Sequence, residues 1–167
     1  MRALGLDQVW LMVSPGNPLK PRAGMAPLPA RLAGARRLAD GRRVMATDIE
    51  RVLGTRFTAD TLAKLRRRFP RAAFVFLIGA DNLVQLPRWK SWRRIAASTP
   101  LAVLPRPGWT RQALHGAAAS VLRRQRCRPG ALLAGAKRAT RQAKWCFVSA
   151  REHAASATAI RAAALHP

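Results

Sequence analysis

Five short apolar runs punctuate the chain, and between them apolar and polar positions recur at helical spacing. The runs are Gln8 to Val13, Arg43 to Ala46, Ala73 to Ile78, Leu101 to Leu104 and Trp145 to Val148. Several are continuously apolar, as expected of strands buried on both faces of a parallel sheet. The periodic segments predict helices over Pro29 to Ala39, Ala59 to Phe69, Trp89 to Ala97, Thr110 to Arg124 and Thr158 to Leu165. The second of these has Thr58 as a hydroxyl cap, Asp60 early, and Arg66, Arg67 and Arg68 late, so its charges complement the helix dipole. Strands alternating with helices predict an α/β fold: a parallel sheet flanked by helices, in a single domain over 1–167. The stretch from Arg123 to Lys144 is basic, rich in Gly and Ala, and poorly patterned, so it reads as a loop or a weak helix pair.

In open parallel sheets, ligands bind beyond the carboxyl ends of the strands. Four of those ends carry unusual residues: Ser14 to Pro21 after the first run, Gly79-Ala80-Asp81-Asn82 after the third, Pro105-Arg106-Pro107-Gly108 after the fourth, and the segment containing Ser156 after the fifth. Ser156-Ala157-Thr158-Ala159-Ile160-Arg161 places hydroxyls where a helix begins and a guanidinium about one turn later. Free N–H groups at a helix start bind phosphate, and Arg matches phosphate oxygens in pairs. The same residues also suit an ordinary capped terminal helix with a surface Arg.

Composition narrows the choice. Of 167 residues, 49% are hydrophobic, enough for one globular core. No apolar run approaches the roughly 20 residues needed to span a bilayer, and Asp7 falls inside what would be the core of a signal peptide. Two cysteines, Cys127 and Cys146, make neither a disulfide framework nor a metal-ligand spacing, which fits a reduced cytoplasm. The net charge of +24 invites a nucleic-acid reading. The basic residues are scattered, however, and Arg far outnumbers Lys, so the charge reads as a compositional habit without a dedicated nucleic-acid face. Attraction for polyanions such as ATP follows from it regardless.

Taken in order, several segments resemble bacterial nicotinate-nucleotide adenylyltransferases of the nucleotidyltransferase superfamily. They are Leu4-Gly5-Leu6-Asp7, Ser14 to Lys20, Met25-Ala26-Pro27-Leu28, Asp48-Ile49-Glu50, Thr55 to Leu62, Gly79 to Leu83, Trp89 with Trp92 and Ile95, Arg106-Pro107-Gly108 and Ser156 to Arg161. The resemblance covers nearly the whole chain and implies a Rossmann-like fold. It also implies transfer of the adenylyl group of ATP, with Mg2+, to nicotinate mononucleotide. A phosphate oxygen attacks the α-phosphorus directly, so no protein nucleophile is needed and catalysis rests on positioning and fixed charge.

The residue roles below are those the resemblance implies. Trp89 stacks on the nicotinate ring, with the Lys90 backbone near its carboxylate, while Phe57 and Thr58 close over the pyridine. Gly79 admits the ligand close to the backbone, and Asp81 faces adenosine or ribose. Lys20, Arg106, Ser156, Thr158 and Arg161 face phosphates. Each position has a structural alternative: a core role for Trp89, a helix cap for Thr58 and Asp81, solvent for Lys20 and Arg106. Trp10 and Trp92 read as core. Asp48 and Glu50 read as salt-bridge partners of the many arginines.

One departure stands out. The family opens with a strand, a Gly-rich loop and two histidines in a His-Xaa-Gly-His pattern, which stabilise charge on the ATP phosphates. Here the histidines are His115, His153 and His166, none in that context, so no catalytic residue is identified. The expectation is a chain lacking one strand–loop–helix unit of ~20–30 residues, inactive as it stands and restored by the codons upstream of Met1. Alternatives are an enzyme acting on nicotinamide mononucleotide or phosphopantetheine, and a non-catalytic basic remnant that binds nucleotide or RNA. In an upstream-extended product, Arg161→Ala should lower turnover about tenfold to a hundredfold, the loss of one charged hydrogen bond of roughly 1.5–3 kcal/mol. Turnover at saturating ATP checks this, and an unchanged rate would return Arg161 to the solvated surface.

Overall fold

The computed structural model describes residues 1–16, 25–134, 143–150 and 152. Lys20, Ser156, Thr158 and Arg161, and the helix expected over Thr158 to Leu165, lie outside the described residues. Among the described residues five strands form where the apolar runs predict them: β1 (Val9–Met12), β2 (Val44–Thr47), β3 (Phe76–Gly79), β4 (Leu101–Leu104) and β5 (Trp145–Phe147). All pair in parallel, β1 with β2 in one sheet and β3-β4-β5 in another. Parallel neighbours need crossover connections, usually helices. Those here are α1 (Leu28–Leu38), α2 (Ile49–Val52), α3 (Thr58–Arg68), α4 (Ala80–Gln85), α5 (Trp92–Ser98), α6 (Thr110–His115) and α7 (Ala117–Val121).

The core is organised by the period-two alternation of side chains along β4 and β5. Leu101, Val103 and Trp145 pack in one buried cluster with Leu62, Leu83, Leu86 and Ile95 from the helices. Ala102, Cys146 and Val148 point to the opposite face, against Leu4 and Leu132. Both faces of this sheet are therefore covered, which is why these strands read as unbroken apolar runs. By contrast, β1 and β2 are half-buried throughout. Trp10 packs edge-on against Phe69 and Phe74 at 5.6 and 5.9 Å, and Trp92 lies against the main core cluster.

Three expected boundaries shift by three residues or more, the first two for a local reason. The helix expected from Trp89 begins at Trp92, because Pro87 sits in a 3-10 turn over Leu86–Arg88 and Ser91 adopts a left-handed conformation (φ 52°). The helix expected over Thr110 to Arg124 breaks at Gly116, after which α7 and a short 3-10 turn over Arg123–Gln125 follow. A Cβ on Gly116 would come within 2.8 Å of the Gln112 carbonyl oxygen, so the break requires glycine. The third strand starts at Phe76 rather than Ala73. In the stretch from Arg123 to Lys144, the described part contains that 3-10 turn and another over Pro129–Ala131.

Two polar devices fix the frame. Arg66 Nη1 donates to the Ser98 carbonyl at 2.9 Å and lies 2.7 and 2.8 Å from the Ser98 and Thr99 hydroxyls, tying the end of α3 to the end of α5. Asp40 Oδ1 accepts the backbone N–H groups of Arg42, Arg43 and Val44 at 2.7–2.8 Å, shaping the turn into β2. Those N–H groups hold its carboxyl below the usual range.

The edges of β1 and β3 line a common cavity of about 1420 Å3. Val9 and Val13 donate their N–H groups to β2-side carbonyls at 2.7 and 2.8 Å, so alternation turns those of Trp10 and Met12 the other way. Likewise, Phe76 donates to the Pro100 carbonyl at 2.8 Å, which turns the Leu77 N–H away from β4. The amides of Trp10, Met12 and Leu77 should exchange with solvent at least about tenfold faster than those of Leu11 and Ile78. Residue-resolved hydrogen exchange checks this, and equal protection would mean that both edges are paired in solution.

Candidate functional site

Two groups of candidate residues form, one at the carboxyl ends of β3 and β4 and one around the mouth of the cavity. At the strand ends, Gly79 closes β3 and opens α4. A Cβ there would stand 2.5 Å from Asp81 Oδ1, so glycine lets the carboxylate fold back over the strand end. The Asp81 side chain is 15% exposed, and its Oδ1 is buried with no hydrogen-bond partner among the described residues. Arg106 Nε stands 3.7 Å away, an ion pair too long to be a hydrogen bond. The helix start of α4 has no side-chain cap, so the alternative role of Asp81 as a cap is not realised. Arg106 is steadied through its backbone N–H, which donates to Thr110 Oγ1 at 3.3 Å; that hydroxyl donates in turn to Glu152 at 2.7 Å.

Around the cavity, Phe57, Thr58, Trp89 and Lys90 come together, although about 30 residues separate the two pairs. Phe57 is extended (φ −116°, ψ 136°) and precedes the first residue of α3, where no side chain caps the helix. The expected hydroxyl cap at Thr58 is therefore corrected: Thr58 is already inside the helix, and it is one of the residues lining the cavity. Trp89 follows the 3-10 turn and meets Phe76 edge-on at 6.2 Å. It is only partly a core residue, since it also lines the cavity. Its indole Nε1 is buried without a hydrogen-bond partner among the described residues.

Lys90 contributes more than its backbone. Its Nζ lies 4.4 Å from the centroid of the Phe57 ring and 3.2 Å from Asp60 Oδ2, while Arg94 holds the other Asp60 oxygen at 3.2 Å. Arg56 approaches the same ring at 5.8 Å. Arg56, Arg71, Arg88 and Lys90 line the cavity against two acids, Asp7 and Glu50. This surplus favours an anionic occupant.

The expectation for the two acids after β2 holds for one and fails for the other. Asp48 pairs with Arg51 at 2.6 Å, and that hydrogen bond lowers its pKa. Glu50 has no arginine partner among the described residues. It is buried and accepts from Thr61 Oγ1 at 3.2 Å, because its helix turn points inward under α3. Its only sequence signal is an acid beside two threonines at no helical spacing. Asn82, Arg56 and Arg88 also line the cavity without having been singled out as site residues. His115, the one described histidine, lines a separate concavity with Arg123 and Arg126. Burial pushes the Cys146 thiol up to about 11 and raises that of Cys127, so neither is an activated nucleophile. No three His, Cys, Asp or Glu side chains gather into a metal cluster among the described residues.

Comparison with known proteins agrees with this geometry. A family profile described as Cytidylyltransferase-like matches residues 1–163. A probable nicotinate-nucleotide adenylyltransferase of Gluconobacter oxydans is 60% identical over 163 residues, covering 96% of this chain and 82% of the relative. One from Gluconacetobacter diazotrophicus is 54% identical over 167 residues, covering 99% and 76%. The fold is also that of a Plasmodium falciparum nicotinic acid mononucleotide adenylyltransferase complexed with APC, with a TM-score of 0.52 at 11% identity, over 91% of this chain and 62% of that one. The Rossmann-like parallel sheets, the strand-end residues and the extent of these matches together make the chain a member of the Cytidylyltransferase-like family, within the branch of the nicotinate-nucleotide adenylyltransferases.

Proposed function

We propose that the protein serves NAD biosynthesis by joining nicotinate mononucleotide to the AMP part of ATP. A phosphate oxygen of the mononucleotide forms a bond to the α-phosphorus, the bond to the β-phosphate oxygen breaks, and pyrophosphate leaves. The observation that carries the proposal is the convergence of Phe57, Thr58, Trp89 and Lys90 on one cavity with surplus positive charge. Trp89 offers an aromatic face for the pyridine ring, and Thr58 and Lys90 offer a donor and a cation for its carboxylate. Asp81 and Gly79, at the carboxyl end of β3, are assigned to the adenosine half in this reading, with Arg106 beside them for phosphate.

Lys20, Ser156, Thr158 and Arg161 complete the phosphate side in this reading. The residues present fit a Mg2+ that arrives on the ATP phosphates, since such an ion needs only one or two carboxylates from the protein. When bound, it neutralises charge on the leaving pyrophosphate. Nucleic acid is not the partner proposed. Among the described residues no helix is long and apolar enough to cross a membrane, and the chemistry proposed is that of the cytoplasm.

Pyrophosphate release that requires both ATP and nicotinate mononucleotide tests the reaction. Equal turnover with nicotinamide mononucleotide or phosphopantetheine would favour a sister enzyme. Trp89→Ala should weaken binding of nicotinate mononucleotide by about 1–3 kcal/mol, the worth of a stacking face, and leave ATP affinity within about twofold. Calorimetric titration with each ligand checks this. Equal losses for both would assign Trp89 to packing alone.

A further inference from the structure

Glu50 is 6% exposed in a chain with 31 Lys and Arg residues against seven acids, yet no cation pairs with it among the described residues. A buried carboxylate without a cation is costly unless it is hydrogen-bonded. Here the Thr61 hydroxyl reaches it, with the Thr55 hydroxyl standing behind Thr61. Thr55 Oγ1 and Thr61 Oγ1 stand 2.8 Å apart, and Thr61 Oγ1 is 3.2 Å from Glu50 Oε1. The carboxylate can only accept, so the single Thr61 proton serves Glu50 or the Phe57 carbonyl, also 3.2 Å away, and Thr55 Oγ1 additionally stands 3.4 Å from the Glu50 carbonyl. Thr55 also donates its N–H to the Glu50 carbonyl at 2.9 Å. Thr61 is completely buried and Thr55 nearly so. The network therefore clamps both ends of the short stretch Arg56-Phe57-Thr58, all three of which line the cavity beside Glu50.

We propose that Glu50 is a positioning residue: with Thr55 and Thr61 it holds Arg56, Phe57 and Thr58 in the geometry that receives the anionic pyridine end of the mononucleotide. The inference rests on the reading of that segment as the pyridine side of the site. Glu50 does no chemistry and touches neither phosphate chain. Its role is to remove the freedom of three residues before the ligand arrives, so that little ordering remains to be done on binding.

The test uses the full chain with Glu50→Ala, Glu50→Gln and Thr61→Val, titrated separately with nicotinate mononucleotide and with ATP, alongside amide exchange at Thr55, Leu65 and Val103. Thr61→Val keeps the shape and removes the hydroxyl link, so it serves if Glu50→Ala does not fold. Glu50→Ala and Thr61→Val should weaken the mononucleotide about tenfold, the effect of one lost hydrogen bond, and change ATP affinity less than twofold. Exchange at Thr55 should rise about tenfold with Leu65 and Val103 unchanged. Glu50→Gln, which keeps an acceptor oxygen, should restore near-normal values. Equal weakening of both ligands with faster exchange at Leu65 and Val103, or unchanged exchange at Thr55, overturns the proposal. A wild-type chain that binds ATP but no mononucleotide sinks the reading of the pyridine side, and the exchange arm still decides whether the network holds the segment.

Discussion

Parallel pairing in a single register, with Ile78 beside Val103 and Val103 beside Phe147, is the constraint from which the rest of the site follows. It brings the carboxyl ends of β3 and β4 to the same side, so Gly79 and Arg106 become neighbours although 27 positions separate them in sequence. It also forbids a tight turn between the strands. The crossover from β3 to β4 must travel the length of the sheet, and Trp89 and Lys90 sit on that crossover. The buried faces of β4 set how firmly this is held. Ala102 and Val103 are fully excluded from solvent, so the register cannot slip by one residue without exposing both apolar clusters.

Acids are scarce in this chain, and their placement is correspondingly telling. Asp40 organises a turn through backbone N–H groups, Asp48 pairs locally, and Asp60 gathers Lys90 and Arg94. Asp81 and Glu50 are the two set inward at the site. The remaining positive charge is unneutralised, which suits a protein whose proposed ligands are all anions and makes its weaker interactions with them sensitive to salt.

The central strand was legible in the sequence because both-face burial leaves an unbroken apolar run, and β4 appears from Leu101 to Leu104 as read. The helix of Asp60 and Leu62 was legible for the complementary reason, with one apolar face and charges matched to its ends. What stayed hidden depends on contacts between distant residues or on single backbone angles. The left-handed Ser91 delays α5 by three residues, and nothing in its side chain announces it. That Glu50 would choose Thr61 over an arginine depends on which face of α2 turns under α3, a tertiary outcome that charge counting misjudges. The pairing of Lys90 with Asp60 across 30 residues is of the same kind. The candidate roles of Phe57, Thr58, Trp89 and Lys90 came from family resemblance, and their sharing of one cavity supports that assignment without having been derivable from spacing.

Arg66 gives the cavity a mechanical character. Its guanidinium joins the far ends of α3 and α5, while Asp60 joins their near ends through Arg94 and the neighbouring Lys90. Two helices joined at both ends resist being drawn apart at either one, which favours a constant separation between the Phe57 and Trp89 walls. The opposite wall is tied differently: among the described residues, β1 and β2 share no strand pairing with the other three, so side-chain packing and chain connections alone join it to this pair.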